Sequence, residues 1–383
     1  MSVDSFVLAS GTSPGPFHSS RVALLGFGTV GSAVAARLAG PDPVDGLELI
    51  HILDRRAFAK RDRLAGSRTA LRGNITWTTK IADILASNAD IVVEAIGGIE
   101  PAAEWIRAAL VAGKSVVTAN KQVIAHHGLS LLQLAERQGR QLRFEAAVGG
   151  SMPIVRAVSD GLAGDRLTRI VAILNGTSNA VLSRMEATEC TMPHAVAEAR
   201  ACGYAEADPS ADLDGIDARA KLSILCALGF RLRVDPARIE TRSIAQLQPA
   251  DVQQVRRRGG AIRQLAFAEY DRRRSALTAW VAPAIVPRSS IFARTCGPQN
   301  AAVITGEHAG DIGVFGAGAG GAATAVAAIG DLLAIARDRA AIVPAPVLLA
   351  PSIIRGLDRG TQIVDLLHVE RPEPSVGLIA EAV

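Results

Sequence analysis

An α/β architecture, with a doubly wound parallel sheet and a second α+β domain behind it, is the fold class this sequence predicts, and three observations carry it. Short β-branched runs alternate with helical segments from Arg21 onward, a glycine triplet "GFGTVG" at 26 to 31 separates the first run from the first helical segment, and a glycine- and proline-crowded stretch near Gly149 marks a change of character. Alternation of this kind implies helices laid on a parallel sheet. With 383 residues, 49% of them hydrophobic and 20% charged, the chain is long enough for two domains of ordinary globular composition.

The elements follow in order. The opening "MSVDSFVLASGTSPGPFHSS" has no basic start and no continuous apolar core, so residues 1–20 read as a polar tail rather than a leader. "RVALLG", "LELIHILD", "ADIVVEAIGG" and "SVVTAN" read as strands, with "GSAVAARLA" and "EPAAEWIRAALVAGK" as helices between them; they fill a first domain over 21–150. Gly26 permits a tight turn, Gly28 lets the backbone approach a pyrophosphate, and Gly31 allows close packing of helix on strand, with the helix N-terminus attracting phosphate. This is a Rossmann-type arrangement, and it assigns Gly26, Phe27, Gly28, Thr29, Val30 and Gly31 to a dinucleotide. Asp54 stands at the end of the second strand, where a carboxylate binds ribose hydroxyls and favours NAD. Arg55 and Arg56 follow at once and could instead hold a 2′-phosphate, favouring NADP, so the choice stays open.

Beyond the boundary, "RIVAILNG" reads as a strand, the region near 178 to 201 as helical, and "LTAWVAPAIVP" and "NAAVITG" as strands of a second sheet over 151–315. A later "GAGAGG" at 316 to 321 opens the helix "AATAVAAIGDLLAIARD", and 316–345 is expected to pack back onto the first domain. Residues 346–383 read as a tail.

The chemistry is concentrated in an acidic loop, "GYAEADPSADLDGIDA", and the helix it enters. Asp217 and Lys221 are four apart and share a helix face. An isolated pair of this kind is ordinarily a surface ion pair, but lysine is rare here: five lysines stand against 36 arginines. Only the amine can shed its proton when desolvated, so a lysine steadied by an aspartate beside a cofactor cleft suits proton exchange with an alcohol during hydride transfer. Lys121 follows the strand "SVVTAN" at the sheet's carboxyl end, where ligands of such folds gather.

These motifs, "GFGTVG", "VVEAIGGIEPA", "AGKSVVTANK", "EAAVGGSMPI", "LNGTSN", "GYAEADPSADLDGIDARAKLSIL", "VAPAIVP" and "GAGAGGAATA", resemble those of homoserine dehydrogenase in the same order, from about residue 21 to about 336. The resemblance implies reversible NAD(P)-dependent interconversion of L-homoserine and L-aspartate 4-semialdehyde, on the way to threonine, methionine and isoleucine. It implies that Lys221 transfers the proton with Asp217 as its orienting partner, and that Lys121, near nicotinamide and substrate, is a second catalytic residue, for binding or proton transfer. It assigns Glu206, Asp212, Gly176 and Thr177 to the substrate, and Ile96, Thr118 and Gly320 to the cofactor. A monovalent cation, Na or K, is implied at oxygens of Glu145, Val148, Gly150 and Met152. Homodimer formation through the second sheet is a further family expectation, while a cytoplasmic setting is what the scattered, unpaired cysteines fit. Departures are Ser151, Ala180, Ala317 and Ala323, which change backbone shape and packing and leave the charged residues intact.

Other classes find less support. Cys190, Cys202, Cys226 and Cys296 form no C-x-x-C pairing and have no histidine at ligand spacing, which disfavours structural zinc, a disulfide framework and a cysteine-dependent aldehyde dehydrogenase. No apolar run reaches the ~18 residues of a membrane span. The "RRR" runs at 256 to 258 and 272 to 274 lack interleaved aromatics and read as solvated faces of a helical region, so no nucleic-acid partner is expected. A relative acting on another small amino alcohol is the nearest alternative, and a non-catalytic NAD(P) sensor would not need Asp217 with Lys221. The region after the last helix is expected to be too short for a regulatory module, and threonine feedback through one is expected to be missing.

Overall fold

A computed structural model describes residues 19–65, 70–337, 353–356 and 364–365. Six parallel strands make the first sheet: β1 (Ser20–Leu25), β2 (Leu47–Leu53), β3 (Thr76–Thr78), β4 (Ile91–Glu94), β5 (Ser115–Thr118) and β6 (Leu142–Arg143). Their order, β3-β2-β1-β4-β5-β6, reverses between β1 and β4, which leaves a crevice at the strand carboxyl ends. Val22, Leu24, Val92 and Val93 are no more than 1% exposed, as strands covered by helices on both faces must be. The helix Gly321–Arg337 packs against Thr29–Ala39 of this domain, burying Ala325, Ala328 and Leu332 beside Val34 and Leu38.

The second sheet holds β7 (Leu167–Ile173), β8 (Glu240–Thr241), β9 (Gly260–Asp271), β10 (Ala276–Pro287), β11 (Gln299–Gly306), β12 (Gly310–Ala317), β13 (Ile353–Arg355) and β14 (Val364–Asp365). The main path is β12-β11-β7-β9-β10-β13, with β8 and β14 also on β10. β9 and β10 form a long antiparallel hairpin. The second arginine run lies in its turn rather than on a helical face, because the strands on either side hold it there; the first closes the Pro249–Arg257 helix. The helical region near 178 to 201 divides into Gly176–Thr188 and Met192–Ala201, broken where Glu189 turns left-handed at φ 55°. Two pieces of the 346–383 segment, β13 and β14, run parallel to β10; residues 1–18 and 338–345 of the flanking segments lie outside the described residues. Among the described residues no helix is long and apolar enough to cross a membrane.

Candidate active site

The glycine loop closes on itself as its spacing predicts. Gly26 sits at φ 92°, and a Cβ there would lie 2.7 Å from the Ala95 carbonyl oxygen; at Gly31 it would lie 2.0 Å from that of Gly26. At Gly28 it would meet nothing within 4 Å, and Gly28 and Thr29 are exposed. The Thr29–Ala39 helix therefore begins with no side-chain cap, leaving amide donors for an anion. Gly320, at φ 115°, also faces open space, and a Cβ on Gly321 would lie 2.7 Å from the Thr29 carbonyl. The two glycine loops, distant in sequence, thus meet at one rim; Val30 is half-buried behind it.

Asp54 is already engaged. Its Oδ2 accepts from the Phe27 amide at 2.9 Å and from Lys60 Nζ at 2.6 Å, and its Oδ1 from the Arg56 amide at 2.8 Å. Burial alone would raise its pKa, but these bonds, Lys60 foremost, outweigh burial and hold the carboxyl below its ordinary value. Arg55 is exposed beside it. Lys60 also donates to the Phe27 carbonyl at 2.8 Å, and the Phe27 ring meets Trp77 edge-on at 5.0 Å. Neither Lys60 nor Trp77 was legible in the sequence, because both meet Phe27, which lies far along the chain, and the reach of Lys60 back to Asp54 follows no helix or strand period.

At the ends of β4 and β5, buried Glu94 accepts from the Ile96 amide at 2.8 Å, from the Gly97 amide and from Thr118 Oγ1. Asn120 Nδ2 reaches the Gly98 carbonyl at 2.6 Å, and Asn120 caps the Lys121–Arg137 helix through the Val123 amide. Ile96 and Thr118 are thereby fixed at the crevice edge, and Lys121 becomes the first residue of a helix aimed across it.

Across the crevice the acidic loop feeds the Ile216–Gly229 helix through Gly215, which is left-handed at φ 75°. Asp217 and Lys221 are 6% and 9% exposed, so the surface ion pair is excluded. Lys221 Nζ donates to Asp217 Oδ2 at 2.6 Å and to the Leu174 carbonyl at 2.8 Å, while Lys121 Nζ stands 2.7 Å from Asp217 Oδ1. Burial would raise the pKa of Asp217, but the two ammonium groups overcome it and hold the carboxyl well below the usual range. The charge of Asp217, helped by Asp212 and Glu206, lifts the Lys121 pKa against its own burial.

Asn175 completes the cluster. Its Nδ2 donates to Asp212 at 2.6 Å and Asp217 at 2.9 Å, and its Oδ1 caps the Gly176–Thr188 helix through the Ser178 amide. It lay within the quoted "LNGTSN" but its reach of some forty residues was not legible there. Burial raises the Asp212 pKa more than Asn175 lowers it. Gly176 is pressed against Pro298, where a Cβ would lie 2.8 Å from the carbonyl oxygen. Thr177 Oγ1 donates to the Tyr204 carbonyl at 2.6 Å. Glu206 is exposed, and its carboxylate has no hydrogen-bond or ion-pair partner among the described residues.

Glu145, Val148, Gly150 and Met152 lie on one turn between the domains, with Gly149 and Gly150 left-handed at φ 84° and 65°. The Glu145 carboxylate accepts from the amides of Val155 and Arg156, both at 2.9 Å, and burial pushes its pKa up to about 7 despite those bonds. Its side chain is thus committed, and of the backbone carbonyls that a cation would use, those of Glu145 and Met152 already accept one amide each, from Val148 and Ile154, and keep their second lone pair. Neutral oxygen donors of this kind suit a hard, weakly charged ion. Among the described residues no group of three or more His, Cys, Asp or Glu side chains could hold a metal ion.

Residues 26–145 match the family model for the homoserine dehydrogenase NAD-binding domain, and residues 153–333 match that for homoserine dehydrogenase. A homoserine dehydrogenase of Corynebacterium glutamicum is 38% identical over 339 residues, covering 85% of this chain and 74% of its own. That of Mycobacterium leprae is 40% identical over 325 residues, covering 83% and 72%. Among solved structures, one from Thiobacillus denitrificans has a TM-score of 0.79 at 34% identity, covering 88% of this chain and 79% of its own. A hyperthermophilic archaeal homoserine dehydrogenase in complex with NADPH has a TM-score of 0.70 at 27% identity, covering 85% and 99%. By sequence and by fold, the chain belongs to the homoserine dehydrogenase family.

Proposed function

We propose that this protein interconverts L-homoserine and L-aspartate 4-semialdehyde with NADP or NAD, and that Lys221 is the group exchanging a proton with the substrate oxygen. The reading rests on one observation: a buried carboxylate, Asp217, gripped by Lys121 from the nucleotide-binding domain and by Lys221 from the other.

In the oxidising direction the alcohol loses a proton from oxygen and a hydride from the adjoining carbon. A dinucleotide held at the glycine-lined crevice would supply the hydride acceptor. Lys221, as the neutral amine, takes the proton and becomes the ammonium, held in place by Asp217 and the Leu174 carbonyl; in reverse, the ammonium returns the proton to the aldehyde oxygen. Asp217 raises the Lys121 pKa, and the Lys121 ammonium would offset negative charge on the reacting oxygen. Glu206 and Asp212 receive the substrate ammonium, and the Gly176–Thr177 helix start lines the rest of the substrate. Gly26 through Gly31, Asp54, Arg55, Ile96, Thr118 and Gly320 hold the cofactor.

The carbonyls of Glu145, Val148, Gly150 and Met152 are proposed to hold Na or K. A homodimer is proposed through the second sheet, whose edge strand β12 leaves Phe315 69% exposed. The four cysteines are free thiols, as a reducing compartment favours, and the reading places the protein in the cytoplasm. One assay tests the function: purified protein with homoserine and either NAD or NADP, alongside a panel of other small amino alcohols. Preference for another alcohol, or no turnover with any, overturns it.

A further inference from the structure

A cavity of about 410 Å³ opens between the two domains at the far ends of the helices that carry the lysine pair. The Lys121–Arg137 helix contributes Leu132 to its wall, about 16 Å beyond Lys121 at 1.5 Å per residue. The Ile216–Gly229 helix contributes Leu228. Leu142, Val158 and Leu162 complete an apolar surface, and the volume suits a small ligand.

Charges of both signs line the cavity, and their hydrogen bonding decides which is available. The acids are spent: Glu145 accepts from two amides, Asp331 from the Glu145 amide and Arg156, Asp165 from the amides of Arg166, His308 and Ala309, and Asp160 from Ser159. Of the three arginines in the lining, Arg156 is held by Asp331 and Glu145, but Arg143 and Arg231 keep donors in hand. Arg143 commits Nε alone, to Gln141, and the Arg231 guanidinium has no partner among the described residues. Arg231 moreover stands left-handed at φ 59° directly after the helix cap Phe230, a position that glycine ordinarily takes. Of the carbonyls at the two helix ends, that of Cys226 is occupied by the amides of Phe230 and Leu232 and that of Ala135 by the amide of Arg140.

We propose that this cavity binds a small carboxylate with a compact apolar body, its head on Arg143 and Arg231 and its body against Leu132 and Leu228. Two planar guanidinium groups with unused N–H donors match a carboxylate. Both domains supply the walls, so the ligand spans their junction.

The test uses the full chain and needs no turnover, so it stands apart from the assignment of Lys221. Hexanoate and phenylacetate are titrated by calorimetry and by thermal shift, with hexanamide and hexylamine as uncharged and cationic controls. The carboxylates are expected to bind saturably and raise Tm by about 2–4 °C, undisplaced by excess homoserine with NADP. Arg143→Met with Arg231→Met should weaken them by about tenfold or more, and Leu228→Trp should fill the cavity and abolish binding. Equal binding of the controls, displacement by homoserine, undiminished affinity in the arginine double variant, or no binding at millimolar carboxylate overturns the proposal.

Discussion

Lys221 has two oxygens to satisfy its ammonium, one charged and one not, and both lie within 2.8 Å. Lys221→Ala removes the proton acceptor while Asp217 keeps Lys121 and Asn175, so kcat for homoserine is expected to fall by ~10²–10⁴-fold. The buried carboxylate also loses a partner, costing ~3 kcal/mol of stability, and the rate is therefore measured well below the new Tm. Undiminished turnover would remove Lys221 from the chemistry. Asp217 has its pKa depressed by folding, so the stability it contributes is present above the unfolded pKa and is lost as pH falls through the folded one. Lys121, with its pKa raised, contributes stability present below its unfolded pKa and lost as pH rises through the folded one. Lys121→Met takes one cation from Asp217, and the acid-unfolding midpoint should move to higher pH; an unmoved midpoint would mean that Lys221 alone sets the Asp217 pKa. Lys60 restrains Asp54 in the same fashion. Lys60→Ala should release that carboxylate for ribose hydroxyls and raise the NAD:NADP ratio of kcat/KM by ~10-fold, the worth of one charge-assisted bond.

At the level of the strand, turn and helix, two glycines of one motif separate structure from ligand. Gly31→Ala would drive a methyl into the Gly26 backbone, and a loss of ~2–4 kcal/mol is expected along with cofactor affinity. Gly28→Ala meets no protein atom, so Tm should hold while dinucleotide affinity falls; equal effects on both would place no ligand at Gly28. The distinction shows why the first domain was legible in the sequence. Strand, turn and helix there are local, and Gly31 marks a contact only five residues back, though Gly26 also marks one with Ala95 far along the chain. Asp217 and Lys221 were legible for the same reason, since helix pitch alone places them together. Asn175, Glu94, Lys60 and Trp77 were not, because each acquires its role from partners on other elements. The strand β13 was equally hidden: its apolar run is only two residues long, and its pairing with β10 crosses 77 residues.

Over the whole molecule, the segment from Glu145 to Met152 joins the two domains while lying against the loop at Ala317, whose carbonyl accepts from the Ser151 amide at 2.9 Å. A cation on its carbonyls would stiffen this junction. Activity in choline chloride is expected to fall and to return on adding K or Na; equal rates in all three salts would count against a cation there. The grip on Asp217 from two sides has a further result. Swinging the lobes apart must strip one positive group from a carboxylate sealed away from water, so the parted form bears an electrostatic penalty until something replaces it.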